Sequence, residues 1–273
     1  MADVSEFEQV SRAALAALER GETIAQATVV QVRGSAPRHA GARMLVWPDG
    51  RIAGTIGGAT LEERVIQHAR EALQVHRGRL EKYVFSTGND PDSVGLCGGE
   101  VLVHIEVLEA DPTLVIIGAG HVAFALAQAA PLAGMRLIVV DDRAEFLTPE
   151  RFPQADRLIH VHYDRETGRL DPMGLPLTPA SYVVVATWGW DEPALAQILD
   201  ADPQPAYVSL ISSKTKWRVI RQMLAERGLD AARLDRVRAP AGLDLGAETP
   251  GEIAIALIAE MLAVRRKAGV ITA

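Results

Sequence analysis

A glycine-rich turn in the second half of the chain has the spacing of a nucleotide-binding element. The run LVIIGAGHVAFALA places Gly118, Gly120 and Ala123 in the pattern Gly-x-Gly-x-x-Ala, after an apolar stretch. The first glycine permits a tight turn, the second lets the backbone approach a pyrophosphate, and the alanine lets the following helix pack closely on the strand. Free N–H groups and the dipole at the start of that helix favour an anion. The pattern predicts a phosphate site at residues 118–123.

Two titratable residues belong to the same predicted site. Asp141 ends the next apolar stretch, 21 positions after Gly120, where a carboxylate can accept hydrogen bonds from a ribose and repel a 2′-phosphate. His121 lies inside the turn and could contact a diphosphate, or it could be a structural residue of the first helical turn. Any ligand with a ribose and a diphosphate fits these residues, and a fold that binds no nucleotide is the alternative.

The single cysteine of the chain stands among backbone-permissive residues, in Gly95-Leu96-Cys97-Gly98-Gly99. A thiol on exposed, flexible backbone can reach a ligand, and its reactivity depends on how strongly its surroundings favour the thiolate. The competing interpretation is a small buried hydrophobic residue, which is the common fate of a free cysteine. The residues alone favour neither interpretation.

Two other glycine loops of the first half combine cations with permissive backbone. The residues concerned are Gly34, Ser35 and Arg38 in the loop 33–41, and Gly57 and Gly58 in the loop 54–58. Both loops could present N–H groups and cations to an anion such as a phosphate. Ordinary turn chemistry with solvated arginines explains them at least as well.

The elements that position these residues fall into two groups. Apolar periodicity in the first part predicts helices at 4–20 and 61–76 and strands at 23–32, 42–47, 51–56, 80–87 and 100–108. The second part predicts strands at 114–118, 136–141, 157–162, 182–187 and 206–211, alternating with helices at 121–133, 191–200, 213–227 and 249–267. We therefore expect an α/β protein, with a smaller α+β domain at 1–108, a linker at 109–113 and a Rossmann-like doubly wound parallel sheet at 114–273.

Composition narrows the classes of partner. The 273 residues suit about two domains, and 28 Lys and Arg against 35 Asp and Glu give a net charge of −7, which argues against nucleic acid as a partner. One cysteine excludes an intrachain disulfide framework. The first residues show no signal peptide, so we expect a cytoplasmic protein. Glycines and a proline interrupt the apolar run 114–140, so we expect no membrane span.

These motifs together resemble the XdhC/CoxI family over nearly the whole chain. In the first half the resemblance rests on GSAPRHAGARMLV (34–46), DGRIAGTIGGATLE (49–62) and GLCGGEVLVHIE (95–106). In the second half it rests on VIIGAGHVAFALA (115–127), VVDDR (139–143), ISSKTKW (211–217) and APAGLDLGAETPGEIAIALIAEMLA (239–263). The last motif is long and unusual, and a generic dehydrogenase has no reason to carry it.

The resemblance implies an accessory protein for molybdenum hydroxylases such as xanthine dehydrogenase and carbon monoxide dehydrogenase. Such proteins bind the molybdenum cofactor, protect it during sulfuration and deliver it to a target apoenzyme. We therefore expect a cofactor-insertion chaperone rather than a turnover enzyme. The implied partners are a molybdenum hydroxylase apoenzyme and a cysteine desulfurase or other sulfur donor, with a homodimer as a further expectation. An oxidoreductase using NAD(P) is the alternative, although no acid–base set with a recognisable arrangement supports it.

The resemblance also implies roles for particular residues. Cys97, Gly98 and Gly99 match the Cys-Gly-Gly element of the family, and a soft thiolate could ligate molybdenum or handle sulfur. The cofactor is expected as molybdopterin, alone or as a dinucleotide whose pyrophosphate would suit the glycine turn. Trp188 follows the fourth strand, where relatives often carry His or Arg, and could stack on a pterin or base or simply pack there. Lys214 could approach a phosphate at a helix start, or remain solvated beside a capped helix.

Overall fold

The chain folds as two compact units. The computed structural model describes residues 5–86, 93–95 and 98–266. The first unit is Met1–Ala110 and the second unit is Asp111–Ala273. The division falls in the polar segment 109–113, which offers little apolar surface for either core.

The first unit is an antiparallel sheet with one helix on each face. Its elements are α1 (Glu6–Glu19), β1 (Ile24–Arg33), β2 (Arg43–Val46), β3 (Ile52–Gly54), α2 (Ala59–Val75), β4 (Arg79–Val84) and β5 (Glu100–Leu108). The strands pair in the order β3-β2-β1-β5-β4. Alternate side chains of a strand face opposite sides of the sheet. Ala25 and Ala27 of the central strand therefore pack in the cluster with α2, while Ile24 packs in the cluster with α1.

The second unit contains a six-stranded sheet in which all strands are parallel. Its strands are β6 (Thr113–Ile117), β7 (Arg136–Asp141), β8 (Arg157–His160), β9 (Tyr163–Asp164), β10 (Arg169–Leu170), β11 (Ser181–Val185), β12 (Tyr207–Leu210) and β13 (Val237–Arg238), of which β9 and β10 form a separate hairpin. Its helices are α3 (His121–Ala129), α4 (Asp191–Leu199), α5 (Lys214–Glu226), α6 (Ala231–Leu234) and α7 (Pro250–Arg265). Residues of α3 and α7 pack on one face and residues of α4 and α5 on the other.

The strand order of the second unit defines where a ligand can enter. The order is β13-β12-β11-β6-β7-β8, so the chain runs outward from β6 to β8 and then returns to β11 before running outward in the other direction. The carboxyl ends of β6 and β11 therefore border the crevice at which open α/β sheets bind their ligands. The predicted fold class, a doubly wound parallel sheet with a smaller α+β part, is confirmed.

Several elements differ from the sequence expectation, among them the short helix α6, which is additional. Helix α3 ends at Ala129, and a 3-10 turn, Ala130–Ala133, replaces its expected last turn because Pro131 lacks the N–H that an α-helix needs. The hairpin of β9 and β10 and the edge strand β13 are additional. Each of these strands has two residues, which is too short for an alternating pattern to be recognised.

A buried carboxylate fixes the C-terminal helix to the sheet. Glu260 of α7 accepts hydrogen bonds from the hydroxyl of Tyr207 and from the backbone N–H of Gly242 at 3.0 Å, and Nη1 of Arg238 lies 3.4 Å from its other oxygen. Burial, with the charge of Glu260, raises the pKa of Tyr207.

Helix α7 has 16 residues, and in the part of the chain that the structure describes no helix is long and apolar enough to cross a membrane.

Glu260→Ala is expected to lower the free energy of unfolding by about 3 kcal/mol, because it removes the acceptor of a buried charged network. Tyr207→Phe removes one donor but leaves the carboxylate two others, so a loss of about 1 kcal/mol is expected. Urea denaturation of both variants measures the difference. Equal losses for the two variants would contradict a central role of the carboxylate.

Candidate functional site

The glycine turn of the second unit lies between the ends of three strands. The backbone N–H of Gly118 donates to the carbonyl of Val140 at 2.7 Å. Gly118 has a φ of +106°, and a Cβ at this position would lie 2.2 Å from the carbonyl oxygen of Ala186. Only glycine can occupy such a position without displacing backbone. The turn is therefore wedged at the point where the order of the sheet reverses.

The N-terminus of α3 faces open space at Gly120. This glycine precedes the helix, and a Cβ placed on it would meet no atom within 4 Å. Among the described residues, no side chain caps α3, as is also the case for α2 and α4, whereas Ser213 caps α5 and Thr249 caps α7. His121 is exposed as the first residue of the helix. The first-turn N–H groups are therefore available to an anion.

Asp141 uses its carboxylate inside the protein. Its Oδ1 accepts from the backbone N–H and from Nε of Arg143, both at 2.8 Å, and its Oδ2 accepts from Nη2 of Arg143 at 3.0 Å and from the backbone N–H of Ala119. The side chain is 1% exposed. Burial tends to raise the pKa of Asp141, but the hydrogen bonds from Arg143 and Ala119 outweigh burial and hold it below its ordinary value. Asp141 thus ties the end of β7 to the glycine turn.

Two arginines and an aromatic ring adjoin this turn. Nη2 of Arg151 donates to the carbonyl oxygen of Ala119 at 3.1 Å. The guanidinium carbons of Arg143 and Arg151 lie 4.1 and 5.1 Å from the ring centre of Phe146. Such contacts hold a guanidinium in place through cation–π attraction. The sequence interpretation missed both arginines, although Arg143 stands two positions after the predicted acid.

The two tryptophans after β11 have different surroundings. Trp188 is 78% exposed, and its carbonyl oxygen accepts from Nη1 of Arg165 at 3.3 Å. Trp190 is buried and donates from Nε1 to Asp142 at 3.1 Å. Arg165 also donates to Asp142 at 2.7 Å. The guanidinium carbon of Arg165 lies 5.8 Å from the ring centre of Trp188, and the remaining indole surface of Trp188 is exposed, whereas Trp190 is enclosed.

The start of α5 supplies one uncommitted cation. Lys214 is exposed and has no carboxylate partner among the described residues. Lys216, two positions later, places Nζ 2.5 Å from the buried carboxylate of Asp191, which also accepts from the hydroxyl and backbone N–H of Thr187. Lys216 therefore connects α5 to the end of β11, and Lys214 remains available to a ligand.

The glycine loops of the first unit converge. A Cβ on Gly34 would lie 3.1 Å from the carbonyl oxygen of Gly98, and a Cβ on Gly99 would lie 2.3 Å from the carbonyl oxygen of Ser35. A Cβ on Gly57 would lie 3.0 Å from the side chain of Pro37. Gly34 and Ser35 thus meet Gly98 and Gly99, whereas Gly57 approaches the same 33–41 loop only through Pro37, and a Cβ on Gly58 would have no atom within 4 Å. Cys97 lies outside the described residues.

Arg38 points to another part of the first unit. It forms an ion pair with Glu6 of α1. The two residues line a cavity of about 280 Å³ together with Phe7, His39 and Arg43. The pairing gives Arg38 an internal partner instead of an evident place beside the converging glycines.

A carboxylate of the chain fills the loop at Gly57 and Gly58. Oε1 of Glu62 accepts from the backbone N–H groups of Ile56 at 3.1 Å and Gly58 at 2.9 Å, and from the hydroxyl of Thr55. Burial tends to raise the pKa of Glu62, but these hydrogen bonds outweigh it, so the pKa is lowered. An external phosphate would have to displace this internal anion.

No group of three or more His, Cys, Asp or Glu side chains that could hold a metal ion occurs in residues 5–86, 93–95 and 98–266.

Two family profiles match the chain. The profile described as the XdhC Rossmann domain matches residues 114–261, and the profile described as the XdhC and CoxI family matches residues 17–84. The chain belongs to the XdhC family.

Three relatives illustrate the membership in the XdhC family. Uncharacterized protein YqeB of Escherichia coli is 40% identical over 252 residues, which cover 92% of this chain and 45% of YqeB. The chain thus spans less than half the length of that relative. A protein of Bacillus subtilis, named as a probable xanthine dehydrogenase subunit, is 25% identical over 333 residues, covering 94% of this chain and 97% of that protein. "Molybdenum cofactor insertion chaperone PaoD" of E. coli is 25% identical over 302 residues, covering 94% and 88%.

Glu62→Ala is expected to destabilise the protein by about 1–2 kcal/mol, because it leaves buried donors without an acceptor. Glu63→Ala is the matched control, since Glu63 is the exposed neighbour in the same helical turn, and a change within about 0.5 kcal/mol is expected for it. Thermal unfolding of the two variants tests the role of the carboxylate. A stable Glu62→Ala protein would show that the loop needs no internal anion.

Asp141→Asn is expected to cost about 2 kcal/mol of stability at neutral pH, because it breaks a buried charged pair. The folded pKa of Asp141 is lowered, so its contribution is present above the unfolded pKa and is lost as the pH falls below about 4. The free energy of unfolding should therefore fall more steeply with decreasing pH in that range for the parent protein than for Asp141→Asn. Glu150→Gln, at an exposed position nine residues later in the chain, should show the same pH dependence of stability as the parent. If stability depended on pH equally in all three proteins, the stabilising role of the Asp141 carboxylate would be contradicted.

Proposed function

We propose that this protein binds the molybdenum cofactor and delivers it to a molybdenum hydroxylase during maturation of that enzyme. Membership of the XdhC family supports this, as do a relative named as a molybdenum cofactor insertion chaperone and another named as part of a probable xanthine dehydrogenase. The observation that carries the proposal is the uncapped start of α3 over open space at Gly120. It supplies a place for a phosphate of the cargo.

Side chains at the same sheet edge suit the remaining parts of the cargo. The exposed indole of Trp188 offers a flat surface for a pterin ring. Gly118 packs against the backbone of Ala186 and Thr187, so the phosphate turn and Trp188 belong to neighbouring strand ends. Lys214 adds a cation at the next helix start. We assign these residues to holding the cargo by its phosphate and its ring.

The first unit has the other part of the proposed role. Gly98 and Gly99, which follow Cys97 in the sequence, lie against the loop of Gly34 and Ser35. We propose the thiolate of Cys97 as the group that contacts molybdenum or takes part in sulfur exchange. Protection of the cofactor during sulfuration, a sulfur donor as a second partner, a homodimeric state and a cytoplasmic location belong to this proposal. The cofactor can be bound as molybdopterin or as its dinucleotide.

Gly120→Asp is expected to abolish retention of the cofactor while the protein stays folded. Gly120 has φ −75° and ψ −164°, which any residue adopts, and aspartate is a favourable residue before a helix. The new carboxylate would occupy the N–H groups that the phosphate needs. Anaerobic reconstitution with molybdenum cofactor, followed by pterin fluorescence and mass analysis of what stays bound, measures the effect.

Gly251→Asp is the matched control, because Gly251 also lies in a first helical turn with open space around its Cβ. It should retain the cofactor at the level of the parent. Unchanged retention by Gly120→Asp would contradict the phosphate site at α3. Binding of NAD(P) with no binding of the pterin would favour the oxidoreductase.

A further inference from the structure

The acid at the end of β7 has no acceptor left for a ribose. A carboxylate offers about four lone-pair positions, and Asp141 receives four N–H groups, three from Arg143 and one from Ala119. In dinucleotide-binding folds this position accepts hydrogen bonds from ribose hydroxyls. A ribose at this point would have to displace an internal, charge-assisted pair.

The surroundings of Asp141 have unused donors instead. In the described part of the chain nothing accepts a hydrogen bond from Nη1 of Arg143. Nε of Arg151 is buried without a hydrogen-bond partner, while its Nη2 donates to Ala119. A buried donor without an acceptor is costly. The orphaned Nε of Arg151 therefore points to an acceptor that a ligand supplies.

Aromatic contacts hold both guanidinium groups near the turn. Phe146 lies against Arg143 and Arg151, and Arg151 also lies 5.4 and 5.6 Å from the ring centres of Phe124 and Phe152. Such restraint reduces the entropy that each arginine loses when it binds. Arg143 is paired with Asp141 and also lies near Asp142 and Glu145, whereas Arg151 has no carboxylate partner in the described part of the chain. The charge of Arg151 is therefore the uncompensated one beside the glycine turn. An anion with several hydrogen-bond acceptors fits the surroundings of Arg143 and Arg151, and a neutral diol does not.

We propose that Arg143 and Arg151 bind a phosphate monoester at the end of β7, in the place of the ribose diol of ordinary dinucleotide folds. Planar guanidinium groups match the oxygens of a phosphate. The phosphorylated side chain of a pterin and a nucleoside 2′-phosphate share this chemistry. The identity of the cargo rests on the proposed function, whereas the preference for a terminal phosphate rests on the two arginines and the saturated acid.

The wild-type protein provides the first test. Binding is measured by titration calorimetry at one fixed ionic strength for two pairs of probes. One pair is NADP⁺ and NAD⁺; the other is oxidised molybdopterin before and after removal of its phosphate by a phosphatase. The phosphorylated member of at least one pair is expected to bind about tenfold more tightly or better, as one additional charged contact would give. Equal affinities within both pairs, or no binding of any probe, would overturn the proposal.

Variants then assign the preference to the arginines. Arg151→Met keeps an apolar stem but removes every donor, so the ratio within the preferred pair should fall towards one. Arg151→Lys keeps the charge and should keep part of the ratio. Arg136→Met is the matched control, because Arg136 lies at the opposite end of β7, 3.7 Å from Asp156. A ratio that both Arg151 variants leave unchanged would overturn the proposal.

The outcomes separate this proposal from the proposed function. Tight but equal binding of both pterins, with equal binding of both nicotinamide probes, would support the cofactor chaperone and contradict the phosphate site at Arg143 and Arg151. A preference for NADP⁺ over NAD⁺ without binding of either pterin would support the phosphate site at Arg143 and Arg151 and contradict the proposed chaperone function. Should Arg151→Met fail to fold, as thermal unfolding would reveal, the wild-type ratios and Arg151→Lys still decide.

Discussion

The carboxylate of Asp141 is the interaction on which the candidate site depends. It joins the end of β7 to the amide of Ala119, and so holds the glycine turn in the form that leaves the start of α3 open. The close approach of Gly118 to Ala186 then sets the distance between that turn and the loop after β11. A buried charge of this kind is stable only when its donors are complete. The geometry of the glycine turn thus depends on one fully paired acid.

Two glycine loops with the same backbone chemistry have opposite outcomes. At Gly57 and Gly58 the N–H groups of the loop are bound by Glu62, a carboxylate of the chain itself. At Gly120 no side chain of the described residues takes that position, and a helix start is left with free donors. The difference comes from one residue type in the following helical turn. Glycine-rich composition is therefore insufficient to identify an anion site without the side chain that follows it.

The sequence predicted what depends on local pattern. The buried strands β6, β7 and β11 are continuous apolar runs, and such runs are visible without a structure. The need for glycine at position 118 also follows from the motif. The partners of Asp141 could not be predicted, because spacing does not show that Arg143 turns back onto the acid two positions before it. The hydrogen bonds of Glu62 could not be predicted for the same reason, since they depend on a loop that folds over the first turn of α2.

The pairing of acids at the edge of the second sheet explains how an acidic protein could offer the anion site that we propose. Three acids at or after the carboxyl ends of its strands each have a basic partner: Asp141 with Arg143, Asp142 with Arg165, and Asp191 with Lys216. Their charges are therefore cancelled locally. Arg151 and Lys214 have no carboxylate partner in the described part of the chain. Because interactions between exposed charges fade over about 10 Å at moderate salt, the net charge of −7 has little influence here, and these two cations with the open start of α3 determine the local potential.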